Sequence, residues 1–233
     1  MFIMRIADHT IQVDNKYDYI FQICKNYISD DNPEFTISAS KEEIIKENNG
    51  NNDYPIQYLE SFAIYRKICE RLLDEGIIHF HCSALAIDGK SILFTGPSGT
   101  GKSSHSREWR THFGDRVKMI NDDEPLLHIG DTVMVYGTPF SGEYNLQTNT
   151  EANVSAIIII YQSTINTIKQ ISAKQAFPLL LNQSYFKEEA NEMLKAMKLI
   201  ERLSRLPVFL LGCNISDEAV MTVYNELKDR YIL

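Results

Sequence analysis

Residues 96–103 read Gly-Pro-Ser-Gly-Thr-Gly-Lys-Ser, and this short stretch decides the fold. It matches the pattern Gly-x-x-x-x-Gly-Lys-Ser/Thr at every fixed position. An apolar segment that includes Ile92, Leu93 and Phe94 leads into it, and a segment with helical character leads out. Backbone amides bind phosphate when such a turn joins a strand to a helix. The sequence therefore predicts a phosphate-binding loop between a strand and a helix.

The residue types within the loop suit a nucleoside triphosphate. Glycines allow a tight turn in which successive N–H groups point inward, and the helix beginning near Lys102 adds the positive end of its dipole. Lys102 would reach the β- and γ-phosphates, and the Ser103 hydroxyl would ligate Mg²⁺. The alternative is a glycine-rich turn without a ligand, which the full match in this setting disfavours. The predicted nucleotide-binding residues are Gly96, Pro97, Ser98, Gly99, Thr100, Gly101, Lys102, Ser103 and Ser104.

A pair of carboxylates, Asp122 and Asp123, directly follows the apolar segment 117–120. A carboxylate at the C-terminal end of a strand beside a phosphate loop is placed to hold Mg²⁺. Its neighbour could accept the proton of an attacking hydroxyl. Because the two charges repel, one pKa should be raised unless a metal offsets the repulsion. The alternative is a solvated turn, but the preceding phosphate loop favours a functional pair.

Hydrophobic periodicity predicts an α/β chain with a mixed sheet. The predicted strands are 2–6, 10–13, 35–39, 77–85, 91–95, 117–120, 132–136, 156–161, 165–171 and 208–211. The predicted helices are 17–27, one from about 41, one from 55 to about 76, one from the loop to about 112, one at 187–205 and one after Ser216. The polar run 48–53 predicts a boundary between a short N-terminal α+β segment, 1–53, and a main domain, 54–233.

Composition and charge limit the functional classes. The net charge of −8 argues against a nucleic-acid-binding surface, because such a surface needs a clustered positive field. The longest apolar run, 156–161, is too short to span a bilayer, and the N-terminus lacks the apolar core of a signal peptide. Four dispersed cysteines are typical of reduced core thiols. Together these features predict a cytoplasmic protein without a membrane or nucleic-acid partner.

The stretch 78–123 resembles a known family. His79-Phe80-His81, Asp88-Gly89-Lys90, the phosphate loop and Asn121-Asp122-Asp123 are similar to motifs in the catalytic domain of HPr kinase/phosphorylase and its shorter relatives. The segment 136–143 resembles the substrate-side segment of those shorter relatives. The resemblance implies a phosphoenolpyruvate-carboxykinase-like P-loop fold, with ATP and Mg²⁺ as the cofactors.

The resemblance also implies further site residues. His81 would lie beside the aspartate pair and position or tune the base, although His79 could fill that role or the histidine could be structural. Glu143 would be a second metal ligand or a substrate contact, and its alternative is a carboxylate on a loop surface. The candidate metal ligands are Ser103, one aspartate of the pair, with Asp123 favoured, and Glu143. The candidate catalytic residues are His81, Lys102, Asp122 and Asp123.

We expect a Mg²⁺-dependent kinase that transfers the γ-phosphoryl group of ATP to a hydroxyl of a protein, a peptide or a small molecule. The alternatives are a P-loop ATPase or switch and a non-catalytic nucleotide-binding protein; a homo-oligomer is also compatible with the sequence. Ser104 stands where the resembled family commonly carries a glutamate after the loop serine, so another acceptor fits as well as HPr. His105, Arg107 and Arg110 follow the loop, and we expect them on a solvated helix face.

Overall fold

A computed structural model describes residues 1–48, 54–142 and 144–233. The strands are β1 Phe2–Ile6, β2 His9–Asp14, β3 Phe35–Ser38, β4 Ile77–Phe80, β5 Cys82–Ile87, β6 Lys90–Thr95, β7 Val117–Asn121, β8 Leu126–Ile129, β9 Val133–Tyr136, β10 Glu151–Gln162, β11 Thr167–Ile171, β12 Ser184–Tyr185 and β13 Val208–Cys213. The helices are α1 Asp18–Ile23, α2 Lys41–Lys46, α3 Ile56–Leu72, α4 Lys102–Phe113, α5 Ala173–Leu181, α6 Ala190–Leu203 and α7 Asp217–Asp229. The chain is thus a mixed α/β protein, as expected.

Serine residues define where several helices begin. Ser40 and Ser172 each form a capping box at the start of α2 and α5, in which the serine side chain and the third helical residue satisfy each other's backbone N–H groups. Ser216 caps α7, as the sequence predicts. At the start of α4, by contrast, Gly101 provides no side-chain cap. The first N–H groups of α4 are therefore left for another acceptor.

The main sheet is mixed, and its longest strand, β10, has both antiparallel and parallel neighbours. The strand order among the described residues is β12-β4-β8-β9-β10-β6-β5-β7, with β13 also paired to β10 and β11 paired to β13. The start of β10 pairs antiparallel with β9, and its later residues pair parallel with β6 and with β13. Every residue from Ala156 to Ile160 is buried, because the two faces of β10 contribute alternately to two hydrophobic cores.

The strand directions bring several loop segments to one edge of the sheet. β5 lies between β6 and β7 and is antiparallel to both, so β6 and β7 run in the same direction. Their C-terminal ends, and the N-terminal end of β5, therefore meet at the same edge. The phosphate loop leaves β6 there, the aspartate pair leaves β7, and His81 precedes β5. We call this edge the site edge.

The N-terminal strands form a separate three-stranded sheet with the order β1-β2-β3. Its apolar side chains share one hydrophobic core with the buried face of α3 and with Phe140. Strands close to β1 and β2 were predicted, whereas the predicted boundary falls mainly on residues 49–53, which lie outside the described residues. Residues 1–48 therefore pack against the part of the chain that follows them.

The structure corrects the sequence prediction in one place that matters for the site. Segment 77–85 is not one strand, because β4 ends at Phe80 and β5 begins at Cys82. β4 pairs with β8 and β12, whereas β5 pairs with β6 and β7. His81 lies at the break, where its backbone N–H donates to Gln183 O, 2.7 Å away. The short apolar run gave no sign of this change of partners.

All four cysteines are free and buried. No helix within the described ranges has both the length and the apolar character needed to cross a bilayer.

Candidate functional site

The phosphate loop has the backbone conformation that its glycines predict. Gly96, Gly99 and Gly101 have φ angles of 145°, 80° and 103°, in the region that side-chain-bearing residues rarely adopt. A Cβ at Gly96 would also lie 2.8 Å from Ile160 O on β10, so the loop starts against the neighbouring strand. The Thr100 hydroxyl donates to Pro97 O, 2.8 Å away, which closes the turn. The loop is thus a folded element and not an extended connection.

Lys102 is the first residue of α4 and is only 6% exposed. Its Nζ lies 3.1 Å from Gly96 O, so the side chain folds back over the loop. Burial lowers the pKa of Lys102, and the charge of Asp123 opposes that effect. The ammonium group uses one of its three donors on the loop and keeps the others for a ligand.

Asn121 fixes the turn that carries the aspartate pair. Its side chain is fully buried at the end of β7. Its Oδ1 accepts from the backbone N–H groups of Asp123 and Glu124, each at 2.8 Å, and its Nδ2 donates to Phe140 O at 2.8 Å. A single amide therefore ties the turn to the segment around Phe140. We did not predict this role, although Asn after a strand commonly bonds to backbone two residues on.

His81 Nε2 lies 3.0 Å from Asp123 Oδ1, within hydrogen-bond distance. The Thr95 hydroxyl, at the end of β6, donates to His81 O at 2.8 Å, which connects this pair to the strand that carries the loop. Burial would raise the pKa of Asp123, but the hydrogen bond and charge of His81, with the charge of Lys102, outweigh it. The pKa of Asp123 is therefore lowered, and the carboxylate stays ionised with one oxygen left for another partner.

Asp122 has a different environment and is only 3% exposed. Its Oδ1 accepts from the Gly142 backbone N–H at 3.0 Å, whereas its Oδ2 is buried and has no hydrogen-bond partner among the described residues. Burial raises the pKa of Asp122, with a smaller contribution from the charge of Asp123. A buried carboxylate oxygen without a partner favours either a proton or a cation.

His79 of β4 and His81, at the break before β5, have separate carboxylate partners. His79 contacts the Glu124 carboxylate, and its ring meets the Tyr65 ring edge to face at 6.0 Å. His81 thus lies beside Asp123, whereas His79 lies beside Glu124. Glu143, the third candidate metal ligand, lies outside the described residues.

The expectation of a solvated face after the loop is wrong for His105, which is 4% exposed. Its Nε2 accepts from Trp109 Nε1 at 3.0 Å, and its ring packs against Phe94. Burial lowers the pKa of His105 to about 4, so the ring is neutral at physiological pH. Arg107 is exposed, as expected. The helical spacing predicted that Arg107 lies on the exposed face of α4. It could not show that the buried indole N–H of Trp109 would need His105 as its hydrogen-bond acceptor.

A cavity of about 480 Å³ lies beside the loop. Thr100, Gly101 and His105 line one side, and the C-terminal ends of the parallel strands β10 and β13, including Gln162 and Asn214, line the other. Gln162 Nε2 donates to Gly99 O at 2.9 Å, which holds the loop to that wall. Crevices at the carboxyl ends of parallel strands are common ligand sites in α/β proteins.

The structure therefore brings together most of the residues singled out in the sequence. Lys102, Asp122, Asp123 and His81 all lie at the site edge, and the Lys102 charge acts on Asp123. Ser103 is exposed at the start of α4 and Ser104 is partly buried. Of the groups that were not predicted, Asn121 and the Gly142 N–H orient the aspartates.

Comparison with known proteins does not assign this chain to a family. No protein-family model matches the chain, and a search of curated proteins found no match. Among solved structures, the HPr(Ser) kinase/phosphatase from Coxiella burnetii matches with a TM-score of 0.39 and 12% sequence identity, over 66% of this chain and 90% of that chain. The geometry of the site itself therefore carries the functional interpretation.

Proposed function

We propose that this protein is a Mg²⁺-dependent kinase of the phosphoenolpyruvate-carboxykinase-like type, which transfers the γ-phosphoryl group of ATP to a hydroxyl. One observation carries the proposal: the phosphate loop and the Asp123–His81 pair lie at the same edge of the sheet, close enough for Lys102 to influence the pKa of Asp123. A loop alone would support nucleotide binding; a carboxylate beside it adds a group that can accept a proton.

The described residues fit a nucleotide with Mg²⁺. The uncapped start of α4 and the glycine conformations of the loop suit a polyphosphate. The unpartnered Oδ2 of Asp122 and the exposed Ser103 hydroxyl supply the oxygen donors that Mg²⁺ prefers. Within the described ranges, no group of three or more His, Cys, Asp or Glu side chains could hold a metal ion. Mg²⁺ commonly binds through one or two carboxylates together with substrate phosphates, and it would neutralise charge on the phosphates.

The environments of the two aspartates support different roles. Asp123 is held by His81 through one oxygen, and its lowered pKa keeps it ionised, so its other oxygen can accept the acceptor's proton. The acceptor oxygen then forms a bond to the γ-phosphorus, the bond to the β–γ bridging oxygen breaks, and ADP leaves. Lys102 would hold the phosphates in line, and Asp122 with Ser103 would hold Mg²⁺.

The proposal is tested with γ-labelled ATP, Mg²⁺ and a cell extract, using the wild-type protein beside Lys102→Ala and Asp122→Asn variants. Transfer of label to a hydroxyl acceptor by the wild-type protein, and by neither variant, supports the kinase. Release of phosphate without a labelled acceptor assigns the protein to ATPases instead. Binding of Mg·ATP without either product would leave a nucleotide-binding regulatory protein.

A further inference from the structure

A second cavity of about 470 Å³ includes Asp123 and Glu124 in its wall. It shares no lining residue with the cavity beside the phosphate loop. The two cavities are therefore distinct, and the candidate base, Asp123, lines this second one. Much of the remaining wall is aromatic and comes from Tyr19, Tyr58, Phe62, Tyr65 and Phe140.

The aromatic wall is assembled from the N-terminal segment and α3. Tyr58, Phe62 and Tyr65 follow the spacing that places residues on one face of a helix. Tyr19 of α1 meets Tyr58 edge to face at 5.8 Å, and Tyr58 meets Phe62 in the same way at 4.7 Å. Tyr65 stacks on Phe140 with ring centroids 4.0 Å apart. The rings therefore form two contacting groups, Tyr19–Tyr58–Phe62 and Tyr65–Phe140, in the wall of one cavity.

Polar contacts hold this wall in place without help from a ligand. The Glu60 carboxylate is fully buried in α3 and accepts from the backbone N–H groups of Lys16 and Tyr17, at 2.6 and 3.0 Å. It thereby attaches the start of α1 to α3. The Tyr65 hydroxyl donates to Glu124 O at 2.7 Å, which attaches α3 to the turn with the aspartates. A preorganised wall of this kind favours selective binding.

The described residues of the cavity wall carry negative charge only, and His79 and His81 contact the two carboxylates from outside the wall. Its described lining residues include two carboxylates, Asp123 and Glu124, and no lysine, arginine or histidine. Burial raises the pKa of Tyr58, and the neighbouring tyrosines and then the charges of Glu124 and Asp123 add to this effect. Such a cavity repels anions and accepts neutral or cationic groups.

We propose that this cavity binds the phosphoryl acceptor, and that the acceptor is a neutral or cationic hydroxyl compound with an aromatic or bulky apolar group beside the hydroxyl. The inference rests on the proposed kinase function and extends it to the substrate class. The hydroxyl would face Asp123 and the apolar group would lie against Phe62, which is 39% exposed and offers its ring to the cavity. The volume is within the range of small-molecule sites and also admits a short peptide segment.

The experiment uses two pairs of hydroxyl probes with the full chain. The peptide pair is acetyl-Phe-Ser-amide and acetyl-Glu-Ser-amide, and the small-molecule pair is 2-phenylethanol and 3-hydroxypropionate. Dissociation constants are measured by NMR titration with a non-hydrolysable Mg·ATP analogue present, and transfer from Mg·ATP is measured by mass spectrometry. We expect the aromatic member of a pair to bind at least about tenfold more tightly than its anionic partner. The pair that binds and is phosphorylated identifies a peptide or a small-molecule source.

Variants test whether the aromatic wall makes the contact. Phe62→Ala should weaken binding of the preferred probe about fivefold or more and leave Mg·ATP affinity unchanged. Ile56→Ala is the matched control, because Ile56 is 42% exposed on the same helix and does not line the cavity. Equal or tighter binding of the anionic probes, or an unchanged dissociation constant in Phe62→Ala, overturns the inference.

The experiment separates failure of this inference from failure of the proposed function. Mg·ATP is titrated first, without any acceptor. A protein that does not bind Mg·ATP refutes the kinase and this inference together. A protein that binds Mg·ATP and binds none of the probes at about millimolar concentration refutes the acceptor class alone.

Discussion

Replacing Lys102 with methionine is the most direct test of the phosphate loop. Lys102 is 6% exposed and folds over the loop, with Nζ at 3.1 Å from Gly96 O. Methionine keeps an unbranched stem of similar size and removes the charge. Burial lowers the pKa of Lys102, so the ammonium group is costly to bury in the protein without nucleotide. We therefore expect the variant to keep its stability within about 1 kcal/mol while it loses affinity for Mg·ATP.

The size of that loss follows from the donors that Lys102 has available. One of its three N–H groups is directed to Gly96 O, and two remain for the β- and γ-phosphates. A hydrogen bond to a charged group contributes about 1.5–3 kcal/mol, so two of them give at least about 3 kcal/mol, or roughly 100-fold in the dissociation constant. Mg·ADP lacks the γ-phosphate, so its affinity should fall about tenfold.

The assay is calorimetric titration of wild-type protein and Lys102→Met with Mg·ATP and Mg·ADP, beside urea denaturation of both. Lys118→Met is the control. Lys118 is an exposed lysine on β7, and its replacement changes the net charge by the same amount as Lys102→Met. The reasoning is refuted if Lys102→Met binds Mg·ATP within about threefold of wild type, or if the control loses as much affinity.

Three further variants test the other parts of the site. Gly96→Ala adds a Cβ at 2.8 Å from a backbone oxygen at φ 145°, so urea denaturation should show a loss of about 3 kcal/mol or more. Asp122→Asn should lower phosphoryl transfer about 100-fold or more and, without Mg²⁺, raise stability at neutral pH. Because burial raises the folded-state pKa of Asp122, wild-type stability falls as pH rises from the unfolded-state pKa through the folded one, so this gain should vanish in acid. His81→Ala removes the hydrogen bond and charge that offset burial at Asp123; the pKa of Asp123 should rise, and the acidic limb of the kcat/KM profile should move to higher pH.

Each of these variants has a matched control. Gly89→Ala, at φ 82° with open space around the added Cβ, should lose about 1 kcal/mol, and an equal loss in the two glycine variants would contradict the contact at the loop. Asp88→Asn removes an exposed carboxyl whose pKa is lowered by Arg116, so it should not raise stability. His9→Ala removes another histidine paired with a carboxylate and should leave the pH profile in place. A profile unmoved by His81→Ala would show that this pair does not tune the base.

The sequence predicts the loop well because that stretch carries its own conformational requirements. Three glycines at positive φ and a lysine at the start of a helix leave few alternatives for Gly96–Ser103. The two carboxylates of the site were visible as well, because they directly follow an apolar strand. The local sequence was therefore sufficient to predict those parts of the site whose geometry depends on residues adjacent in the chain.

Features that depend on distant partners were not predictable in the same way. The split of segment 77–85 arises because β4 and β5 pair with different strands, and local periodicity does not encode a strand's partners. The opposite pKa shifts of Asp122 and Asp123 depend on the burial of Asp122 and on the contact of Asp123 with His81, which lies far from it in the chain. Likewise, the burial of His105 follows from the need of Trp109 for an acceptor.

The attachment of α1 to α3 through Glu60 has a consequence for truncated proteins. A chain shortened to begin at α3 would leave a buried carboxylate without its two backbone donors and would expose the apolar side of α3 to water. Such a fragment would be insoluble or would associate with other copies through that bare helix. The first 48 residues are thus a structural requirement for the rest of the protein, and a chain that begins at α3 is not a route to a smaller stable version of it.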